Sequence, residues 1–302
     1  MDFPIFTVFT PTYNRAHTLH RVYECLCLQT FKDFEWLIVD DGSTDDTVDL
    51  VFGWTKASRI AIRYIKQENQ GKHVAFNLGV ENAKGELFLP LDSDDSCTPQ
   101  ALERFYARWQ AIPENLRSKF SGITCLCKDE QGDIIGGTLP NDVVDGRFHD
   151  VLSQLKRTGE MWGFHKTSVL REFPFPIFFN EKFVPEGLVW NRISGKYLMR
   201  FINEPLRHYF TSGDSLSSKM TRIRIDNPNG TIVYYKELLN IENSAIKRIK
   251  VCINIWRFYF QSKGIKFTNR LMGERPLIML LTFMPGLIFA FMDVIFHKMR
   301  RK

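Results

Sequence analysis

The sequence predicts an α/β protein: a doubly wound, mostly parallel sheet with a site at the carboxyl ends of its strands, followed by a helical C-terminal tail. Three observations predict it. Over the first hundred residues, short apolar runs of strand length alternate with segments of helical period. Polar and acidic residues follow each run directly, where open parallel sheets bind ligands. From about Asp226 the pattern turns helical and increasingly basic.

The first strand is expected from Phe6 to Phe9. Leu19, Val22, Tyr23, Leu26 and Cys27 then recur at helical spacing as one face of a helix. Phe34 to Val39, Ile60 to Ile65 and Leu87 to Leu91 give three more buried strands, with helices over Thr47 to Trp54 and Val74 to Ala83. Gly85 closes the latter. Ser96 to Pro99 reads as a helix start. Further on, Gly122 to Leu139 resembles a hairpin around Asp129-Glu130-Gln131-Gly132, Trp162 to His165 a strand, Glu186 to Ser194 a helix and Leu198 to Ile202 a strand. No internal repeat or low-complexity linker interrupts the chain. A domain at 1–225 in two halves, 1–120 and 121–225, is expected, and then a tail over 226–302.

With 302 residues, 44% hydrophobic and 25% charged, the chain has an ordinary globular composition, which excludes disordered, collagen-like and disulfide-scaffold classes. The net charge of +6 is unevenly spread. Residues 1–246 hold 28 Lys+Arg against 32 Asp+Glu, and residues 247–302 hold 12 against 2. An anionic surface at one end is the implied partner, not nucleic acid. The N-terminus, Met1-Asp2-Phe3-Pro4, has no basic leader or long apolar region, so a cytosolic catalytic body is expected. Cys25/Cys27 and Cys125/Cys127 are spaced too closely for the usual zinc pattern and read as reduced thiols.

The strand ends carry the chemistry. Thr10-Pro11-Thr12-Tyr13-Asn14-Arg15 follows the first strand, Asp40-Asp41-Gly42-Ser43-Thr44-Asp45 the second and Asp92-Ser93-Asp94-Asp95 the fourth, while Asn69-Gln70-Gly71-Lys72 brings a cation. Crowded carboxylates raise each other's pKa, and a divalent cation relieves that cost. Mg2+ takes one or two carboxylates and substrate phosphates, which suits Asp92-x-Asp94. Alone, this pattern also reads as a solvated turn and helix start, Asp40-Asp41 as a cap, and Tyr13 as a core ring with an exposed hydroxyl. An EF-hand is excluded, because its Gly and terminal Glu are missing.

Taken in order, these motifs, with Gln29-Thr30-Phe31-Lys32-Asp33-Phe34-Glu35 and Asn77-Leu78-Gly79, resemble an inverting family 2 glycosyltransferase of the GT-A fold over residues 5 to about 215. The resemblance implies that Pro11 and Tyr13 pack around the uracil of a UDP-sugar, that Asp41 bonds that base and that Lys72 lies near the nucleotide. Thr12, Arg15 and Ser93 join the implied nucleotide-binding set. Asp92 and Asp94 match the DXD motif and would hold Mn2+ or Mg2+, Asp94 as the direct ligand. Glu186 would be the catalytic base; the family often writes Glu-Asp there, and Gly187 stands in place of the Asp. Arg207-His208 and Ser212-Gly213-Asp214-Ser215-Leu216-Ser217 resemble a segment that closes over the diphosphate, with His208 placed too early for the metal set. Trp162-Gly163 reads as an acceptor-side loop or an ordinary core Trp.

Leu277 to Met292 is uncharged for sixteen residues and is followed by His297-Lys298-Met299-Arg300-Arg301-Lys302. At ~1.5 Å per residue this run reaches only ~24 Å, and Pro285-Gly286 is expected to break it. A helix-turn-helix in one leaflet is therefore expected over 277–296, ahead of a true span or a soluble core helix. The expected whole is a metal-dependent enzyme on the cytoplasmic face of a bacterial membrane, using a UDP-sugar donor and a glycan or lipid-linked glycan acceptor. A sugar-nucleotide pyrophosphorylase shares the sheet, but its Gly-rich phosphate loop is absent; a non-catalytic nucleotide-sugar binder is the other rival.

Overall fold

A computed structural model describes residues 3–155, 159–210, 216–262 and 276–299, with the side chains of 216–219, 276 and 296–299 excepted. The chain divides into two compact units, Met1–Phe175 with Arg192–Gly213, and Pro176–Asn191 with Asp214–Lys302. The sequence reading had a single boundary after 225.

In the first unit the elements run β1 (Phe6–Thr12), α1 (His20–Cys27), β2 (Phe34–Asp40), α2 (Thr47–Ala57), β3 (Ala61–Lys66), α3 (Lys72–Asn82), β4 (Leu87–Pro90), β5 (Ser96–Cys97), α4 (Ala101–Gln110) and α5 (Glu114–Arg117). Then follow β6 (Phe120–Lys128), β7 (Val143–Gly146), α6 (Phe148–Gln154), β8 (Met161–Lys166), α7 (Thr167–Glu172) and, after α8 (Gly187–Lys196), β9 (Leu198–His208). Nine strands form one sheet in the order β3-β2-β1-β4-β8-β6-β9-β5, with β7 on β9. The strands β3, β2, β1 and β4 are mutually parallel, and β6 is parallel to β9; β8 joins the two sets by antiparallel pairing with β4 and β6.

β1 and β2 are buried along their whole length, which explains why apolar residues stand at adjacent positions in both, as at Val8-Phe9 and Trp36-Leu37-Ile38-Val39, without strict alternation. Phe6, Val8, Trp36, Ile38, Leu89 and Phe164 lie in the main core. Polar residues beside it form a paired set: Thr7 Oγ1 donates to Glu35 (2.7 Å), Trp36 Nε1 donates to Thr10 Oγ1 (3.0 Å), and Arg63 meets Glu35 at 2.9 Å. Register brings the strand ends level. Thr12 pairs Asp40, the Asp41 N–H donates to Thr12 O (2.8 Å), and the Leu91 N–H donates to Phe9 O (2.8 Å).

Several local expectations are corrected. Ser96–Cys97 is a short strand on β9, and the helix starts only at Ala101, because Pro99 disfavours helical backbone at Thr98, whose N–H instead donates to Leu206 O. In α1 the buried face is Val22, Cys25 and Leu26, and Cys27 is exposed. The expected hairpin is reduced to a bridge between Lys128 and Ile134, since β6 finds its partners in β8 and β9. β9 runs on past Ile202 through register shifts around Pro205.

The second unit contains α9 (Leu216–Asp226), α10 (Pro228–Ile241), α11 (Ala245–Tyr259) and α12 (Pro276–Met299), preceded by the segment 176–191. Glu181 accepts from the N–H groups of Asn229 (2.7 Å) and Gly230 (2.8 Å) at the start of α10, a carboxylate on exposed helix donors. Ile232, Val251, Ile255, Trp256, Phe258 and Met279 form its core. α12 passes straight through Pro285. The expected break at Pro285-Gly286 is therefore corrected: Gly286 sits against α11, where a Cβ would lie 2.3 Å from Trp256 Cβ, and Trp256 Nε1 donates to Met279 O (2.7 Å).

Candidate active site

Loops after β1, β2 and β3 are laced together by hydrogen bonds. Asn14 holds a positive φ of 52°, tolerated by Asn. Its N–H donates to Ser43 Oγ (2.9 Å), and its Oδ1 accepts from the Thr44 N–H (2.8 Å). Gly42, at φ 85°, makes the turn that L side chains resist, and a Cβ there would lie 3.0 Å from Asn69 N. Asp41 is buried and binds the loop before α3, accepting from Gln67 Nε2 (2.7 Å), Gln70 N (2.8 Å) and Gly71 N (2.8 Å). The carboxylate that the resemblance assigns to the uracil base thus shapes its own loop. Beside it, Pro11 and Thr12 are buried and Tyr13 is 47% exposed. Thr12 Oγ1 makes no hydrogen bond among the described residues.

Along Asp92-Ser93-Asp94-Asp95 burial alternates: Asp92 and Asp94 are half-buried, Ser93 and Asp95 buried. Lys72 Nζ lies 2.8 Å from Asp92 Oδ1, Arg207 lies 3.4 Å from Asp92 Oδ2, and Arg15 lies 3.7 Å from Asp94 Oδ2. Burial raises the Asp92 pKa, but Lys72 and Arg207 outweigh it and hold the carboxyl at about 2. Asp95, 1% exposed, accepts from Arg207 Nε (2.9 Å), from its NH2 and from the Phe210 N–H (3.1 Å). Burial pushes the Asp95 carboxyl up, to about 6, against the pull of Arg207.

The structure thus gathers Pro11, Thr12, Tyr13, Arg15, Asp41, Lys72, Asp92, Ser93 and Asp94 on one rim of the first unit. Glu186 belongs to the second unit, where it is exposed and its carbonyl accepts from the Val189 N–H (3.0 Å) as α8 begins. A Cβ at Gly187 would lie 3.0 Å from Tyr234 Cε2, a close approach that glycine relieves. Trp162 is a core residue, packed on Phe105 and donating to Pro90 O (2.6 Å), so the loop reading is corrected. His208 is half-buried, and burial and Lys128 lower its pKa. Residues 212–215 lie outside the described residues, as do the side chains of Leu216 and Ser217.

Sequence reasoning missed the buried Asp95–Arg207 pair. Asp95 was visible as a third acid, but nothing in one sequence joins it to a residue 112 positions away. Among the described residues no three acids, histidines or cysteines cluster as a metal cage. The donor set still fits a Mg2+- or Mn2+-type ion, which needs only one or two carboxylates when phosphates complete the shell. Asp94, loosely held and partly exposed, suits direct coordination; Asp92 is engaged by Lys72 and Arg207.

Residues 7–116 match the model of glycosyl transferase family 2. A glycosyltransferase of Nostoc sp. is 30% identical over 178 residues, covering 54% of this chain; the aligned stretch is 49% of that relative, so the chain spans about half its length. Among solved structures, TarS 1–349 of S. aureus in complex with UDP-GlcNAc superposes with a TM-score of 0.62 at 18% identity, over 93% of this chain and 79% of that one. The mannosyltransferase PcManGT of Pyrobaculum calidifontis, in complex with GDP-Man and Mn2+, gives 0.57 at 17%, over 97% and 88%. The fold is GT-A. The chain carries a glycosyl transferase family 2 domain.

Proposed function

We propose that this protein is a metal-dependent, inverting glycosyltransferase that moves a sugar from a UDP-sugar to a hydroxyl of a glycan or lipid-linked glycan, in cell-surface polysaccharide assembly on the cytoplasmic face of a membrane. The observation that carries the reading is the interleaving of Asp92 and Asp94 with Lys72, Arg15 and Arg207 at the strand ends beside an exposed tyrosine. Such a set suits a diphosphate and an aromatic base. UDP-GlcNAc in TarS and GDP-Man with Mn2+ in PcManGT support a nucleotide-sugar donor and a divalent ion.

In the reaction the acceptor oxygen bonds to the anomeric carbon, the bond from that carbon to the diphosphate breaks, and UDP leaves with its electron pair. Glu186 takes the acceptor proton. Bound through Asp94, Mn2+ or Mg2+ would neutralise leaving-group charge. Lys72 can pass from Asp92 to a diphosphate oxygen, while Arg207 keeps Asp92 ionised. Tyr13 and Pro11 hold the base. UDP release from a panel of UDP-sugars, measured with Mn2+ and with a chelator, tests this. Metal-dependent release accelerated by a hydroxyl acceptor is expected; release of pyrophosphate points to a pyrophosphorylase, and binding without turnover to a binder, and either overturns the proposal.

A further inference from the structure

α12 is inverted relative to the amphipathic helix of a water-soluble protein. Its most buried stripe is Met279, Thr282, Gly286, Ala290 and Asp293, mostly small or polar, flanked by the partly buried Ile278 and Phe283, which also pack on the core of the unit. Its outer stripe is Leu277, Leu281, Met284, Ile288, Phe291 and Ile295, from 41% exposed at Ile295 to 70% at Leu281. Water selects the opposite arrangement. Lipid selects this one, because small residues let helices approach while large apolar side chains face the acyl tails. An apolar strip of this length marks a lipid or protein partner, and Leu277–Ile295 is long and apolar enough to cross a membrane.

Charge and packing choose the partner and the orientation. The excess of 12 cations over 2 acids in residues 247–302 repels a second copy and attracts anionic lipid. Midway along α12, Gly286 meets Ile253, Trp256 and Arg257 of α11, and further along Asp293 pairs with Arg257 (2.6 Å) and accepts from Gln261 (3.0 Å). α11 also carries Lys247, Arg248 and Lys250. A spanning α12 would draw this charged helix into hydrocarbon, where cations are costly. We infer that α12 lies in the plane of an anionic membrane, with the stripe from Leu277 to Ile295 in the acyl boundary and the α11 cations at headgroup level. The inference rests on the membrane reading given above and deepens it by fixing the face and orientation of the helix.

The test uses the full chain with the exposed Cys27 replaced (C27S) and a nitroxide at L281C, I288C or I295C, mixed with phosphatidylcholine–phosphatidylglycerol vesicles. The expected result is co-sedimentation with equal immersion depth at all three labels. A profile deepest at residue 288 overturns the in-plane orientation and leaves membrane attachment standing; failure to sediment overturns both. In the unlabelled protein, L281E with I288E should weaken partitioning by roughly tenfold or more without shifting thermal unfolding. Unchanged partitioning overturns the assigned face, as does a lipid-free dimer abolished by the same pair.

Discussion

Asp94 is half-buried at the rim with Arg15 3.7 Å from its carboxylate, so on the proposed function Asp94→Ala would remove a metal ligand and leave the core untouched. Transfer should be abolished and donor binding should lose its dependence on Mn2+, as read by titration calorimetry with and without the ion. Glu186→Gln keeps size and hydrogen bonding but removes basicity. Turnover should fall roughly 10²- to 10⁴-fold with donor affinity unchanged; equal loss of both would make Glu186 a positioning residue. Arg207→Met acts on stability as well, because it strands Asp95, 1% exposed, without its cation. Removing one partner of a buried pair costs about 3–5 kcal/mol, and denaturant unfolding should show it, with D95N restoring part of the loss in the double variant. The motif residues after β1, β2 and β4 were legible in the sequence because each group directly follows an apolar run, and Lys72 because its loop follows the third run after a short polar stretch. Arg207 was visible only as part of a segment, since its role depends on β9 running on past Ile202 to reach β5.

The elements that the sequence resolved best are those buried on both faces. β1 and β2 are buried at every position, and their ends, Thr12 and Asp40, lie inside the polar motifs that close them. Elements whose existence depends on distant partners were not legible: β5 has two residues and is a strand only because β9 passes beside it. The same physics hid the course of α12. Pro285 signals a break by local rules, and the helix continues because Gly286 allows a close approach to Trp256. Gly286→Val should therefore force the two helices apart, at about 1–3 kcal/mol for overpacking. Faster amide exchange across α11 and α12, with β1 and β2 unaffected, is the expected signature.

At the scale of the whole molecule, the net charge of +6 conceals a slightly acidic stretch over 1–246 and a strongly basic one after it. That division was countable in the sequence. Which side of the apolar run faces outward was not, because an almost uniformly apolar run gives no period to read; the inner stripe of Thr282, Gly286 and Ala290 settles it. On the proposed in-plane orientation of α12, the search for an acceptor changes dimensionality. A lipid-carried acceptor is then met by lateral diffusion, and its effective concentration is a surface density, which rises as the same molecules share less membrane. Diluting it with inert anionic lipid at fixed bulk concentration should slow transfer in proportion to its falling mole fraction, while the rate with a water-soluble acceptor stays level. An enzyme working from solution would show neither the decline nor the contrast.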